Sequence, residues 1–172
     1  MNEDEGAHVT WIETALERYE DPLVRYAAHI TGDLDLARDV VQDTFLDLCR
    51  STKGAVDDHL AAWLFRVCRN RAIDAQRRET RVQKQTPRAS AFAASTETSG
   101  AADDEDEVLT AIGALPERQR EVLLLKFLGE LSYKEISALT GLSNSNVGVL
   151  IHTALKALRE HLHVDVGSVR PA

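Results

Sequence analysis

SYKEISALTGLSNSNVGVLIHTALKALRE, Ser132 to Glu160, decides how the rest of the chain is read. Ser132 and Glu135 have capping-box spacing, so each side chain can satisfy a backbone amide in the first turn of a helix. Ile136 and Leu139 give that short helix an apolar side. Gly141 follows, the residue type that ends a helix at positive φ. Ser143 is placed to cap a second helix. In that helix Val147, Leu150, Ile151, Ala154, Leu155 and Leu158 recur at spacings of three and four, which makes one face apolar. Two helices joined by a short turn containing glycine form the unit that lays its second helix in the DNA major groove. The alternative is an ordinary helical hairpin within a bundle.

The chain around this stretch has 172 residues and a formal net charge of −8. That length fits one domain or two small ones. A net acid balance is unusual for a protein that approaches phosphates unaided. Either the basic residues are concentrated, or a partner brings the DNA. The acidic start, Met1 to Gly6, precedes no long apolar run, so no signal peptide, no membrane insertion and a cytoplasmic location are expected. Cys49 and Cys68 fall on apolar faces and read as buried free thiols, which suits a reducing compartment. His161 and His163 lack further ligands at metal spacing and read as a solvated helix end. No metal or cofactor is expected.

From the N-terminus, His8 to Tyr19 is weakly amphipathic. Asp21 and Pro22 read as the cap and first turn of a new helix that Gly32 ends. A helix from about Asp35 to Arg50 follows. Its apolar stripe is Ala37, Val40, Val41, Thr44, Phe45 and Leu48. A second stripe, Asp39, Gln42, Asp43 and Leu46, has the same spacing. An exposed leucine flanked by acids suits a basic partner helix. Ser51 to Asp58 reads as a loop. A long helix then runs from near His59 to about Arg81, with Leu60, Trp63, Leu64, Val67, Cys68 and Ile73 on its buried side. From Arg66 to Arg88 eight Lys and Arg residues face only Asp74 and Glu79. A solvated helix face usually mixes signs, whereas a one-sign cluster serves a polyanion.

Thr86 to Gly100 is rich in Ala, Ser and Thr and lacks periodicity, and Asp103 to Glu107 is acidic throughout. The expected fold is therefore all-α. Two small helical domains, at residues 8–81 and 108–162, are joined by a flexible, partly acidic linker at 82–107. The second domain carries the helix-turn-helix. No Ser/His/Asp or Cys/His set is placed for catalysis, and no Gly-rich phosphate loop occurs. The expectation is a protein that is not an enzyme and takes no small-molecule substrate.

Three segments together resemble a bacterial RNA polymerase sigma factor of the sigma-70 family, in its extracytoplasmic function group. Asp35 to Leu46 (DLARDVVQDTFL) resembles the region 2 helix that grips the clamp helices of the largest polymerase subunit. Ala62 to Glu79 (AWLFRVCRNRAIDAQRRE) resembles the helix that melts and reads the −10 promoter element. Ala114 to Glu160, opening with ALPERQREV, resembles region 4, which reads the −35 element and touches the flap of the second-largest subunit. The resemblance implies core RNA polymerase and promoter DNA as partners, and control by an anti-sigma factor. It implies polymerase contacts at Asp39, Gln42, Asp43 and Leu46. At the −10 element it implies Arg66, Arg69, Asn70, Arg71, Asp74, Arg77 and Arg78. At the −35 element it implies Ser143, Asn144, Ser145, Asn146, Val149, His152, Thr153 and Lys156.

The residues agree with those roles. Asn70 can hydrogen-bond a base edge, and Arg77 and Arg78 can hold the phosphates of an opened strand. Asp74 is expected to orient those arginines. Trp63 and Phe65 are candidates for stacking on bases, although Trp63 lies on the apolar stripe and reads as core. There are also departures. The family often has Ala where Ser137 stands. Its recognition helix often reads V-K-S-R-x-x-R-A, whereas Gly148, Leu150 and Thr153 occupy the basic positions here. Either a weaker hold on duplex DNA follows, or a different −35 sequence is read through Asn144, Ser145, Asn146 and His152. Two other readings compete: a stand-alone helix-turn-helix regulator, and a sigma mimic that binds protein only. A sensory or purely protein-binding domain has no need of the Ala62 to Glu79 cluster.

Overall fold

Side-chain caps at Asp33, Ser132 and Ser143 and the left-handed glycines Gly32 and Gly141 set five of the helix ends. A computed structural model of the chain describes residues 3–51, 53–83, 108 and 110–162. Helix α1 spans Glu3–Thr31 and α2 spans Leu34–Arg50. Between them Asp33 accepts a hydrogen bond from the Leu36 amide at 2.9 Å and so starts α2. A four-residue helix, α3 (Lys53–Val56), and a 3-10 turn (Asp57–His59) replace the expected loop and lead into α4 (Leu60–Gln83). The second half of the chain has a helical stretch at 110–114, then α5 (Glu117–Phe127), α6 (Tyr133–Thr140) and α7 (Asn144–His161). No strand occurs among the described residues, and the fold is all-α as expected. Helix α4 ends two residues later than the sequence suggests. The linker reading over Lys84 to Glu107, His163 and the tail lie outside the described residues.

One boundary differs in kind. The expected break at Asp21–Pro22 does not occur, and α1 runs through Pro22. Proline inside a helix forfeits one backbone bond and costs about 3 kcal/mol. The turns on both sides of it are held by burial. Ala15 lies before it, and Leu23, Tyr26 and Ala27 after it, all against α2 and α4. Tertiary packing of one continuous face offsets the local penalty.

Helices α1, α2 and α4 form the first domain, and α5, α6 and α7 the second. The stripe read along α2 is the one that is buried, with Thr44 satisfied by donating to the Val40 carbonyl at 2.8 Å. A single apolar core continues from Ala15, Leu23, Phe45, Leu64 and Phe65 into Val122, Leu125, Leu131, Ile136, Val147 and Ile151. The two domains therefore share buried surface. At their junction Gly129 is obligatory. A Cβ there would lie 2.9 Å from the Leu125 carbonyl oxygen, 3.1 Å from Leu131 Cγ and 3.2 Å from Phe65 Cε2 of the other domain.

The two thiols differ, which corrects the reading of both as buried. Cys49 is exposed and Cys68 is fully buried on α4. Burial pushes the Cys68 thiol up to about 12. A thiol held so far from ionisation does not attack reagents near neutral pH. Ellman's reagent should therefore titrate one thiol promptly in the native protein and two in denaturant. Prompt release of two equivalents from the native chain would show that the α1–α2–α4 core opens readily.

Candidate nucleic-acid interface

The basic helix α4 carries its polar residues on three sides of a buried stripe. Leu64, Phe65, Cys68 and Ala72 are buried. Arg66, Asn70, Asp74, Arg77 and Arg78 are exposed. Positions 66, 70, 74, 77 and 78 follow one another at steps near four, so they lie along one side of the helix. No ion pair among the described residues joins Asp74 to Arg77 or Arg78, so the structure gives no sign that Asp74 orients them. Phe65 is unavailable for stacking on a base. It is buried against Tyr26, with ring centroids 5.3 Å apart. Trp63 is half-buried against the core, in keeping with its place on the apolar stripe.

Two of the expected DNA contacts are engaged elsewhere. Arg71 turns to α2, where Nε donates to Asp47 Oδ2 at 3.0 Å and Nη1 to Asp43 Oδ2 at 3.4 Å. It braces α4 on α2. Arg69 turns toward the second domain, and its Nε donates to Glu121 Oε1 of α5 at 2.8 Å. Tyr26 donates its hydroxyl to the same oxygen at 3.3 Å. Burial works against the Arg69 charge, but Glu121 outweighs it and holds the guanidinium above its usual value. Burial first, and then Glu121, push the Tyr26 phenol well above its usual value, so it remains a donor.

The first domain also bears the acidic stripe of α2, whose Asp43 accepts from Arg71 of α4. Asp39, Gln42, Asp43 and Leu46 are all exposed, Leu46 at 46%. Leu46 is thus an open apolar side chain flanked by Asp39, Gln42 and Asp43.

The helix-turn-helix forms as its sequence dictates. Ser132 Oγ accepts from the Glu135 amide at 3.2 Å, and Glu135 Oε2 accepts from the Ser132 amide at 2.8 Å. Hydrogen bonds from the Ser132 hydroxyl and then its backbone amide hold the Glu135 carboxyl below its usual value. Gly141 takes φ +76° and ends α6, and Ser143 accepts from the Asn146 amide at 3.2 Å to start α7. Ser137 has a role that the sequence alone did not reveal. Its hydroxyl donates to the Leu142 carbonyl and ties α6 to the turn. Val147, Ile151 and Ala154 are buried. Ser143, Asn144, Ser145, Asn146, Val149, His152, Thr153 and Lys156 are all exposed, so α7 presents the whole expected reading set to solvent. Val149, 62% exposed, suits contact with a thymine methyl group.

The sigma-70 region 2 family model matches residues 15–82, and the sigma-70 region 4 model matches residues 105–158. The RNA polymerase sigma factor CarQ of Myxococcus xanthus is 31% identical over 162 residues, covering 86% of this chain and 91% of CarQ. The chain belongs to the extracytoplasmic function group of sigma-70 factors. It is an alternative sigma factor of transcription initiation. SigM of Bacillus subtilis is 28% identical over 86% of this chain and 93% of SigM. Among solved structures, the sigma factor RpoE of Bartonella quintana, in complex with the anti-sigma factor NepR, has a TM-score of 0.67 at 25% identity. That match covers 89% of this chain and 97% of RpoE. CnrH, in complex with the cytosolic domain of CnrY, has a TM-score of 0.56 at 26% identity, covering 90% and 88% of the two chains. A match to region 2 as well as region 4 leaves the stand-alone regulator without support.

Among the described residues no cluster of His, Cys, Asp and Glu could hold a metal ion. Among them, too, no helix is long and apolar enough to cross a membrane. Sequence reasoning missed Tyr26, Glu121, Gly129 and Glu130. Glu130, at φ +52°, accepts from Arg18 Nη2 of α1 at 3.0 Å. Nothing in the local pattern marks these residues, because each acts on a residue of the other domain.

Proposed function

We propose that the sigma factor docks on core RNA polymerase through Asp39, Gln42, Asp43 and Leu46, meeting the clamp helices of the largest subunit. Residues 8–81 then open and read the −10 element with Arg66, Asn70, Asp74, Arg77 and Arg78, joined by Arg69 and Arg71 when these leave their carboxylate partners. Residues 108–162 read the −35 element with the exposed set on α7 and lie against the flap of the second-largest subunit. The single observation that carries this reading is the first domain's pair of faces. An acid-and-leucine stripe on α2 and a basic stripe on α4 are both exposed while each helix buries a separate apolar stripe. A protein that grips both polymerase and DNA needs two such faces. RpoE and CnrH were solved as complexes with NepR and CnrY. By similarity, an anti-sigma factor is proposed to hold this chain inactive, in the cytoplasm where its polymerase works. Run-off transcription with core polymerase on the promoter of its own operon tests the proposal. Transcripts that need both core and this chain are expected, and no transcript from any promoter tried would sink it.

Helix α7 makes a separate expectation about affinity. With Gly148 and Thr153 at positions where the recognition helix of the family it resembles is often basic, it offers few phosphate contacts of its own. Because the core is continuous between the domains, the test is best made on holoenzyme rather than on a fragment. Gly148→Lys together with Thr153→Arg should tighten promoter binding and steepen its salt dependence by about two units on a log–log plot. A Cβ at position 148 meets the Tyr133 ring at 3.5 Å, an ordinary contact, so the helix accepts the change. Removing a glycine from a helix interior adds about 0.5–1 kcal/mol of stability. An unaltered salt slope would show that α7 does not lie along the phosphates.

A further inference from the structure

Glu121 belongs to the second domain, yet its carboxylate sits in the first. Oε1 accepts from both Arg69 Nε, at 2.8 Å, and the Tyr26 hydroxyl, at 3.3 Å. The Arg69 and Glu121 side chains are only 23% and 17% exposed, so salt screens this pair far less than a surface pair. Around it the two domains meet at further points. Gly129 lets the α5–α6 turn rest on Phe65, and Arg18 of α1 reaches Glu130. Beside it Arg120 of α5 approaches the His29 ring of α1 at 3.4 Å. Arg69 stands on the same basic helix as Arg66 and Asn70, but its guanidinium is occupied by a carboxylate where they face solvent.

We propose that Glu121 is an internal stand-in for DNA, a latch that holds the free sigma factor closed and withdraws Arg69 from single-stranded DNA. The inference rests on the sigma-factor reading of the two domains. Elements at −10 and −35 lie about 25 base pairs apart, or roughly 85 Å at ~3.4 Å per pair. A closed chain of this length has a radius of gyration of about 16 Å, hence a diameter near 40 Å. The closed form cannot reach both elements, so the Arg69–Glu121 contact must break before they are read together. A carboxylate is a fitting occupant. Like a phosphate, it is an anion that accepts from guanidinium, and a polyanion at high local concentration displaces it. DNA binding and opening then favour one another, because the ligand binds only the open form.

Energy transfer within the full-length chain tests the latch. One dye is placed on the exposed Cys49 and the other on Glu160→Cys, while Cys68 stays buried and unreactive. The closed chain should give a high-transfer population. Glu121→Ala should move it to low transfer and raise affinity for a labelled random-sequence single-stranded DNA oligonucleotide by about tenfold, the gain expected where the closed form outnumbers the open by ten to one. Tyr26→Phe, which keeps the ring and loses one donor, should move both readouts part of the way. Unchanged transfer in Glu121→Ala, with native circular dichroism, would overturn the latch. So would opening without a gain in DNA affinity. Should Glu121→Ala lose its fold, Tyr26→Phe alone decides by the same two readouts. A chain that opens and gains affinity but supports no run-off transcript would instead reject the promoter reading while keeping the latch.

Discussion

The double variant Asp39→Lys, Asp43→Lys is expected to lose co-purification with core RNA polymerase while keeping its helicity. Both acids are exposed on α2, beside Gln42 and the exposed Leu46. Reversing them places two cations where the proposed partner helix is basic, and like-charge contact across an interface costs several kcal/mol. A loss of at least about 100-fold in affinity follows, since each factor of ten is about 1.4 kcal/mol. Asp43 also accepts from Arg71 at 3.4 Å, so the fold needs its own check. Asp47 continues to accept from Arg71 Nε, and the buried stripe of α2 is untouched. The melting temperature should therefore move by only a few degrees, roughly 1 kcal/mol for a domain of this size. Asp47→Asn is the matching control. It weakens the Arg71 brace without altering the docking stripe, so it should lower stability and leave core binding intact. Unchanged co-purification of the double variant would place the polymerase contact elsewhere.

Arg77→Ala with Arg78→Ala should leave assembly with core intact and remove most of the open complex. Both arginines are exposed near the end of α4, beyond its buried residues. Alanine is the better helix former, so α4 does not unravel for lack of propensity. Contact with an opened strand is worth about 0.7 units of log–log salt slope per phosphate, so loss of both should reduce the slope by about 1.4. Permanganate reactivity of unpaired thymines reads opening directly. A fall of tenfold or more is expected near physiological salt, with core binding unchanged. Opening that survives at moderate salt would mean that these arginines are only a solvated face.

Both effects depend on features that the sequence already displayed, and the reason is physical. The capping box at Ser132 and Glu135, the Gly141 stop and the Ser143 cap act over three or four residues. So does the alternation on α2 between a buried stripe and an acidic one. Interactions of that range are set by helical geometry alone, so residue identity and spacing determined them. The three ordered segments then sufficed for the family, and with it the function.

What only the tertiary structure decided is what each side chain meets across the core. Pro22 continues a helix because Leu23, Tyr26 and Ala27 are buried against α2 and α4. Cys49 and Cys68 read alike along their helices, yet one faces solvent and the other the core. Arg69 and Arg71 lie two residues apart on one basic helix. One is drawn to Glu121, 52 residues away, and the other to Asp47, 24 residues away. A carboxylate that neutralises a guanidinium at this distance along the chain leaves no periodic trace. The sequence by itself determined that a basic helix exists. Packing of α2 and of the second domain against that helix decided which of its charges remain free to meet DNA.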